Sequence, residues 1–162
     1  MADVFTKRKR SEVMSRIRGR GNKDTELALA RLLRAHGITG WRRHVEVRGR
    51  AVLRRGPNSK AAQQRRPTFR VRPDFIFPKR KLAIFVDGCF WHACPIHATK
   101  PKNNAAFWLE KLAGNRHRDA RVTRTLRRAG WRVLRLWEHE LARKNELKLL
   151  RRIQKAVRQE NG

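Results

Sequence analysis

A mixed α/β fold, with a central sheet of about four strands flanked by helices, is what the 162 residues predict. Three observations carry that expectation. An apolar repeat at helical spacing comes first, short apolar runs bounded by Pro, Gly and charge follow, and a long amphipathic segment separates the third such run from the fourth. A helix between two strands is the connection that parallel pairing needs, so one pair in the sheet is expected to be parallel. The length suits one domain, read over 22–162 and preceded by a basic arm over 1–21.

Asp24 is placed to cap a helix over 24–36, in which Leu29, Leu32 and Leu33 share a face and Gly37 supplies the stop. Trp41 to Val47 then reads as a strand. From Arg48 to Arg72 stand nine basic residues and no acidic one, interrupted by Gly49, Gly56, Pro57 and Pro67, so most of this stretch is expected to be a basic loop inserted into the domain. Phe75–Phe77 and Leu82–Val86 form a hairpin around Pro78-Lys79-Arg80-Lys81, and the second strand is apolar enough to be buried on both faces. A helix over 105–129 carries Trp108, Leu112, Val122 and Leu126 as its stripe and closes at Gly130. Trp131–Trp137 is the fourth strand, and a last helix over 146–158 turns Leu147, Leu150, Ile153 and Val157 to one face.

Lys and Arg number 42 against 13 acidic residues, a formal net charge of +29. Such an excess gains affinity for a polyanion by releasing its counterions, which points to nucleic acid and away from small-metabolite chemistry. A membrane surface is the other polyanion, but no apolar run approaches the roughly 18 residues of a spanning helix. Met1-Ala2-Asp3-Val4-Phe5 also lacks the apolar stretch of a secretory signal, so a soluble, cytoplasmic chain is expected. Thr6 to Gly21, with seven Lys and Arg, could be a DNA-contacting arm or a basic tail without structure of its own.

In a chain this poor in acids, Asp74 opens one hairpin strand and Asp87 follows the other. Both could simply end strands; if they meet at one sheet edge, they suit Mg²⁺, which binds through one or two carboxylates plus phosphate oxygens of the substrate. Phosphodiester hydrolysis is the reaction such a pair would serve. Next, Asp87-Gly88-Cys89-Phe90-Trp91-His92-Ala93-Cys94-Pro95-Ile96-His97 concentrates both cysteines and two of the six histidines. Cys89, Cys94 and His97 have the spacing of a zinc knuckle, and His139, just past the fourth strand, is the best fourth ligand; a buried thiol pair is the alternative. His92 stands at the wrong offset for that set and could carry a proton. Phe90 and Trp91 are either a wedge for opening a base step, or, for Trp91, packing against the zinc loop.

Several of these segments together resemble the very short patch repair (Vsr) endonuclease family in order and spacing. They are Met14, Glu26, Arg72-Pro73-Asp74-Phe75, Asp87-Gly88-Cys89-Phe90-Trp91-His92, Phe107-Trp108-Leu109-Glu110-Lys111, Arg118-Asp119 and Gly130-Trp131-Arg132-Val133-Leu134. The resemblance implies a PD-(D/E)xK-type nuclease core and a Mg²⁺-dependent nick 5′ of the T in a T:G mispair left by deamination of 5-methylcytosine. It makes Asp74 the principal Mg²⁺ ligand, with Asp87 beside it, His92 the acid/base residue, and Glu26 and Asp119 supporting residues. Cys89, Cys94, His97 and His139 would hold structural zinc, and Phe90, Trp91 and Met14 would enter the DNA stack. Duplex DNA with the mispair is the implied partner, a monomer suits so asymmetric a target, and repair proteins are compatible partners. Three departures stand out. Gly88-Cys89 replace the Lys of the wider nuclease superfamily, Asp87 lies where the family varies between Asp and His, and the 48–72 loop is longer than usual. Two other functions fit the residues: a nuclease of this fold with a restriction-coupled target, and a non-catalytic zinc-containing DNA-binding module.

Overall fold

The computed structural model describes residues 25–50, 68–97, 99, 101 and 104–159. Asp24, Met14 and the rest of the basic arm lie outside them, as does the middle of the basic insertion.

Helix α1 (Glu26–Ala35) starts at Thr25, whose side chain makes no capping bond, and stops where Gly37 takes a φ of +63°. The chain then enters β1 (Arg42–Arg43), β2 (Val47–Arg50), β3 (Thr68–Val71), β4 (Phe75–Phe77), β5 (Leu82–Asp87), α2 (Ala105–Arg128), β6 (Arg132–Trp137) and α3 (Glu146–Arg158). Four strands form one mixed sheet in the order β1-β4-β5-β6. The first two pairings are antiparallel, and β5 runs parallel to β6 from Leu82 opposite Arg132 to Asp87 opposite Trp137. The helix crossover between the third and fourth runs has its expected consequence.

Strand alternation divides the molecule into layers. Phe75 and Phe77, Leu82 and Ile84, and Leu136 pack with Leu29 and Leu33 of α1 and Leu149, Leu150 and Ile153 of α3. On the opposite face, Ile76 and Ala83 meet Leu126 of α2, with Val122, Phe85 and Val133 at the margin. The hairpin turn Pro78–Arg80 is one turn of 3₁₀ helix, closed by Lys81 N–H donating to the Pro78 carbonyl at 3.1 Å.

Three expectations need correction. The continuous strand from Trp41 to Val47 is broken at His44, whose φ of +53° turns the chain out of the main sheet. Beyond that turn, Val47–Arg50 pairs antiparallel with Thr68–Val71, so both ends of the presumed loop are the arms of a two-stranded ribbon. Val47, Phe69 and Val71 pack against the α2-side core, a tertiary contact that overrides the loop character suggested by Gly and Arg. In α3, Leu149 is buried and Leu147 is 69% exposed. The true stripe runs through Leu149, Leu150 and Ile153, a turn-by-turn row from which Leu147 is rotated away.

Ile84 is fully buried at the centre of the sheet. Ile84→Ala is expected to cost about 2–5 kcal/mol of stability by chemical denaturation, because the hole cannot be filled from a two-sided core.

Candidate active site and metal-binding loop

Because β5 and β6 are parallel, their carboxyl ends emerge side by side, and the loops that follow them share one end of the sheet. There the molecule has an open cleft of about 990 Å³, lined by Glu26, Asp74, Asp87, His92, Asp119 and Glu138 among others. Lys111, Asn115 and Arg118 of α2 line it as well.

Asp74 precedes the first paired residue of β4, so Val86 N–H of β5 lacks a ladder partner there; Asp74 Oδ2 accepts from it at 2.8 Å. This bond fixes the carboxylate at the mouth of the cleft. Burial lifts its pKa from 3.8 to about 6; the Val86 bond pulls the other way, and the charges of Glu26 and Asp87 add to the rise. Glu26, at the start of α1, is buried and accepts from Arg43 at 3.0 Å, with His44 Nε2 at 2.9 Å from the same oxygen. The His44 turn that breaks the predicted strand thus brings the imidazole to Glu26.

Asp87 ends β5 and is buried. Arg135 of β6 forks it, Nε donating to Oδ2 at 2.6 Å and Nη2 to Oδ1 at 2.5 Å. The same Nη2 lies 3.1 Å from Asp119 Oδ1. Asp119, one helical turn beyond Asn115, meets His92 Nδ1 through Oδ2 at 2.5 Å. Burial pushes the Asp119 carboxyl up, but the His92 hydrogen bond and the charges of His92, Arg135 and Arg118 leave it below its ordinary value. With Nδ1 turned to Asp119, Nε2 is the ring nitrogen left for a reacting proton.

Beside the cleft, the ligand atoms of Cys89, Cys94, His97 and His139 lie within 4.8 Å of one another. Sγ of Cys89 is 3.2 Å from His139 Nδ1, and Sγ of Cys94 is 3.7 Å from it and 3.9 Å from His97 Nδ1. A tetrahedral ion with bonds of roughly 2.0–2.3 Å separates its ligands by about 3.3–3.8 Å, so the four side chains fit a four-coordinate metal. Asn145 holds the His139 carbonyl at 2.8 Å, and Glu138 Oε2 accepts from Cys89 N–H at 3.0 Å, tying loop to sheet. His92 stays outside this set.

Phe90 and Trp91 are half-buried rather than freely exposed. Their rings meet edge-on at 5.2 Å, Trp108 of α2 packs 5.2 Å from Phe90 and 6.0 Å from Trp91, and Asn115 holds the Trp91 carbonyl at 2.8 Å. The sequence assigns Trp108 to the helix stripe and to the Vsr-like segment 107–111, and only the docking of α2 brings it against this loop. Sequence reading also passed over Arg135 and Glu138. The one available signal for Arg135 was a cation flanked by Val133, Leu134, Leu136 and Trp137 in the middle of the strand.

A family model described as DNA mismatch endonuclease Vsr matches residues 59–97. The type II nicking enzyme V.NmeDIP of Neisseria meningitidis serogroup C is 32% identical over 162 residues, 99% of this chain and 93% of its own length. The chain belongs to the Vsr family. The DNA mismatch endonuclease Vsr of Escherichia coli (strain K12) is 33% identical over 150 residues, 91% of this chain and 80% of its own length. The type II nicking enzyme V.NaeI of Lentzea aerocolonigenes is 54% identical over a shorter stretch of 71 residues, 44% of this chain and 43% of that enzyme. Vsr membership implies a DNA endonuclease with a nuclease-type core, in agreement with the mixed four-stranded sheet. No helix among the described residues is long and apolar enough to cross a membrane.

The raised Asp74 pKa has a consequence for the metal-free Vsr fold. Ionised Asp74 opposes folding above pH 6, and that cost fades as pH falls from about 6 toward its ordinary value of 3.8. Asp74→Asn should therefore raise the thermal midpoint at pH 7.5 in the absence of divalent ions, by at most about 3 kcal/mol of stability. The advantage should shrink on acidification; a gain independent of pH would mean that the carboxylate is not held in a desolvated place.

Proposed function

We propose that this chain is a Mg²⁺-dependent mismatch endonuclease that nicks one DNA strand 5′ of the T in a T:G mispair. The observation that carries the reading is the convergence, in one cleft, of Asp74 with the His92–Asp119 pair. Asp74 is the carboxylate best placed to hold a hard cation with phosphate oxygens, Asp87 standing next to it under the hold of Arg135. A bound Mg²⁺ would offset charge on the phosphate and make an attacking water more acidic. Asp74 would hold the ion, His92 Nε2 is the ring nitrogen placed to take a proton from an attacking water, and Asp119 keeps the imidazole turned for that task. Glu26 adds negative charge near Asp74 and is itself balanced by Arg43 and His44.

The Cys89, Cys94, His97 and His139 set is the structural zinc site in this reading, and it fastens the loop carrying Phe90, Trp91 and His92 to the end of β6. Phe90 and Trp91, backed by Trp108, form an aromatic wedge that stacks against the step beside the mispair, which is cheaper to open than a paired step. Met14, in the basic arm outside the described residues, joins them on the strength of the resemblance alone. The chain acts as a cytoplasmic monomer on duplex DNA.

The similarity to V.NmeDIP and V.NaeI, both type II nicking enzymes, favours a second target reading in which the nick is coupled to a restriction sequence. A duplex panel separates the two. With Mg²⁺, a T:G duplex should be nicked and its fully paired counterpart left intact; preference for paired DNA would select the second reading. Asp74→Ala should reduce the T:G nick by on the order of 10³-fold or more while duplex binding persists, and equal nicking by this variant would remove Asp74 from the chemistry. Binding without any nick by the native chain would leave a zinc-containing binding module.

Elemental analysis of purified protein should find about one zinc per chain, consistent with one four-ligand site. His139→Ala should lower that content, and an unchanged value would displace His139 from the ligand set.

A further inference from the structure

We propose that Arg135 is a positioning residue of the cleft, which locks Asp87 and Asp119 together and through Asp119 sets the tautomer and aim of His92. This inference rests on the hydrolytic reading for its kinetic consequence, though not for its structural one. The guanidinium spends three contacts on two carboxylates, the Asp87 fork at 2.6 and 2.5 Å and Asp119 Oδ1 at 3.1 Å. Its remaining surroundings hold it in plane: Phe85 lies under it at 4.9 Å, and Thr123 Oγ1 stands 3.5 Å from Nη1. Phe85 is the residue directly opposite Arg135 in the parallel ladder, so the stacking and the reach to Asp87 two residues on follow from one register.

The electrostatics favour the same assignment. Asp74, Asp87 and Asp119 line one cleft, and without a cation among them the last two would repel each other and turn outward. A planar fork suits this place better than an ammonium, since it grips both oxygens of one carboxylate and still reaches a second. Asp119 is then presented with Oδ1 held by Arg135 and Oδ2 left for His92 Nδ1. His92 Nδ1 is 3.7 Å from Asp87 Oδ1, too far to compete, so the ring has one strong partner and one orientation. Arg135 also places a positive charge against both oxygens of Asp87, the oxygens a second cation would need. Asp87 serves as the anchor of the clamp, and Asp74 is left as the carboxylate for the metal.

Long-range ¹H–¹⁵N spectra of the imidazoles, recorded without divalent ions and assigned by loss of the His92 signals in His92→Gln, read the ring directly. The native chain should show a single His92 tautomer protonated at Nδ1. Arg135→Met should lose that single state and, in single-turnover nicking of a T:G duplex, lower the rate by on the order of 10²-fold with duplex affinity within about threefold. Arg135→Lys should recover part of the rate, because one carboxylate contact returns but not the fork. If Arg135→Met fails to fold by its thermal transition, Asp119→Asn cuts the chain at its next link and should scatter the tautomer in the same way. An unchanged His92 spectrum with unchanged rate in Arg135→Met would overturn the proposal. So would a loss of duplex affinity equal to the loss of rate, which would make Arg135 a phosphate contact. Absence of nicking by the native chain would count against the hydrolytic reading alone, since the ring spectra would still decide what Arg135 does.

Discussion

The parallel register of β5 on β6 is the constraint on which the remainder of this molecule depends. Asp87 stands opposite Trp137, so the Cys89–His97 loop and the Glu138–Leu141 turn leave the sheet as neighbours. Cys89 and Cys94 thereby meet His139, a residue some fifty positions away in the chain for Cys89. Arg135 faces Phe85 and reaches Asp87 through the same pairing. An antiparallel pair would send the two carboxyl ends in opposite directions and dissolve both the acidic cleft and the Cys/His cluster. Helix α2 is the device that enforces the parallel choice, because only a long crossover can return the chain to the starting end of the sheet.

Charge is distributed unevenly over this frame. The chain carries +29, yet Glu26, Asp74, Asp87, Asp119 and Glu138, five of its 13 acidic residues, line one cleft. Such a concentration is tolerable because each acid has a partner: Glu26 pairs with Arg43 and His44, Asp87 and Asp119 with Arg135, and Glu138 accepts from the Cys89 amide. Among the described residues Asp74 bonds only to the Val86 amide, and burial raises its pKa. In the proposed reading, a buried carboxylate that bonds to no cation among the described residues is where a divalent ion would relieve unfavourable charge. The surrounding basic surface draws a polyanion toward that point, consistent with a Vsr-family nuclease.

How much could be read beforehand differs from element to element, for identifiable reasons. The hairpin of Phe75–Phe77 and Leu82–Asp87 was legible because its turn is local and its apolar run is dense. Helix α3 was legible in extent but rotated in detail: Leu147 and Leu149 are equally apolar, and only docking against the sheet decides which is buried. The β2–β3 ribbon was not legible, since Val47–Arg50 and Thr68–Val71 are short, rich in arginine, and paired across an interval that local rules cannot bridge. Arg135 was missed for a related reason, its partners Asp87 and Asp119 belonging to other elements.

By itself the sequence determined the class of fold, the location of the candidate site residues along the chain and the sign of the partner's charge. Periodicity, the rarity of acids and the spacing of Cys and His are local or compositional properties, and they survive without coordinates. Only the tertiary structure decided which acid of the cleft is buried enough to have its pKa raised, which imidazole faces Asp119 and which ring backs Phe90 and Trp91. Those outcomes depend on strand register and helix docking, where a shift of one residue reverses the face that every side chain presents.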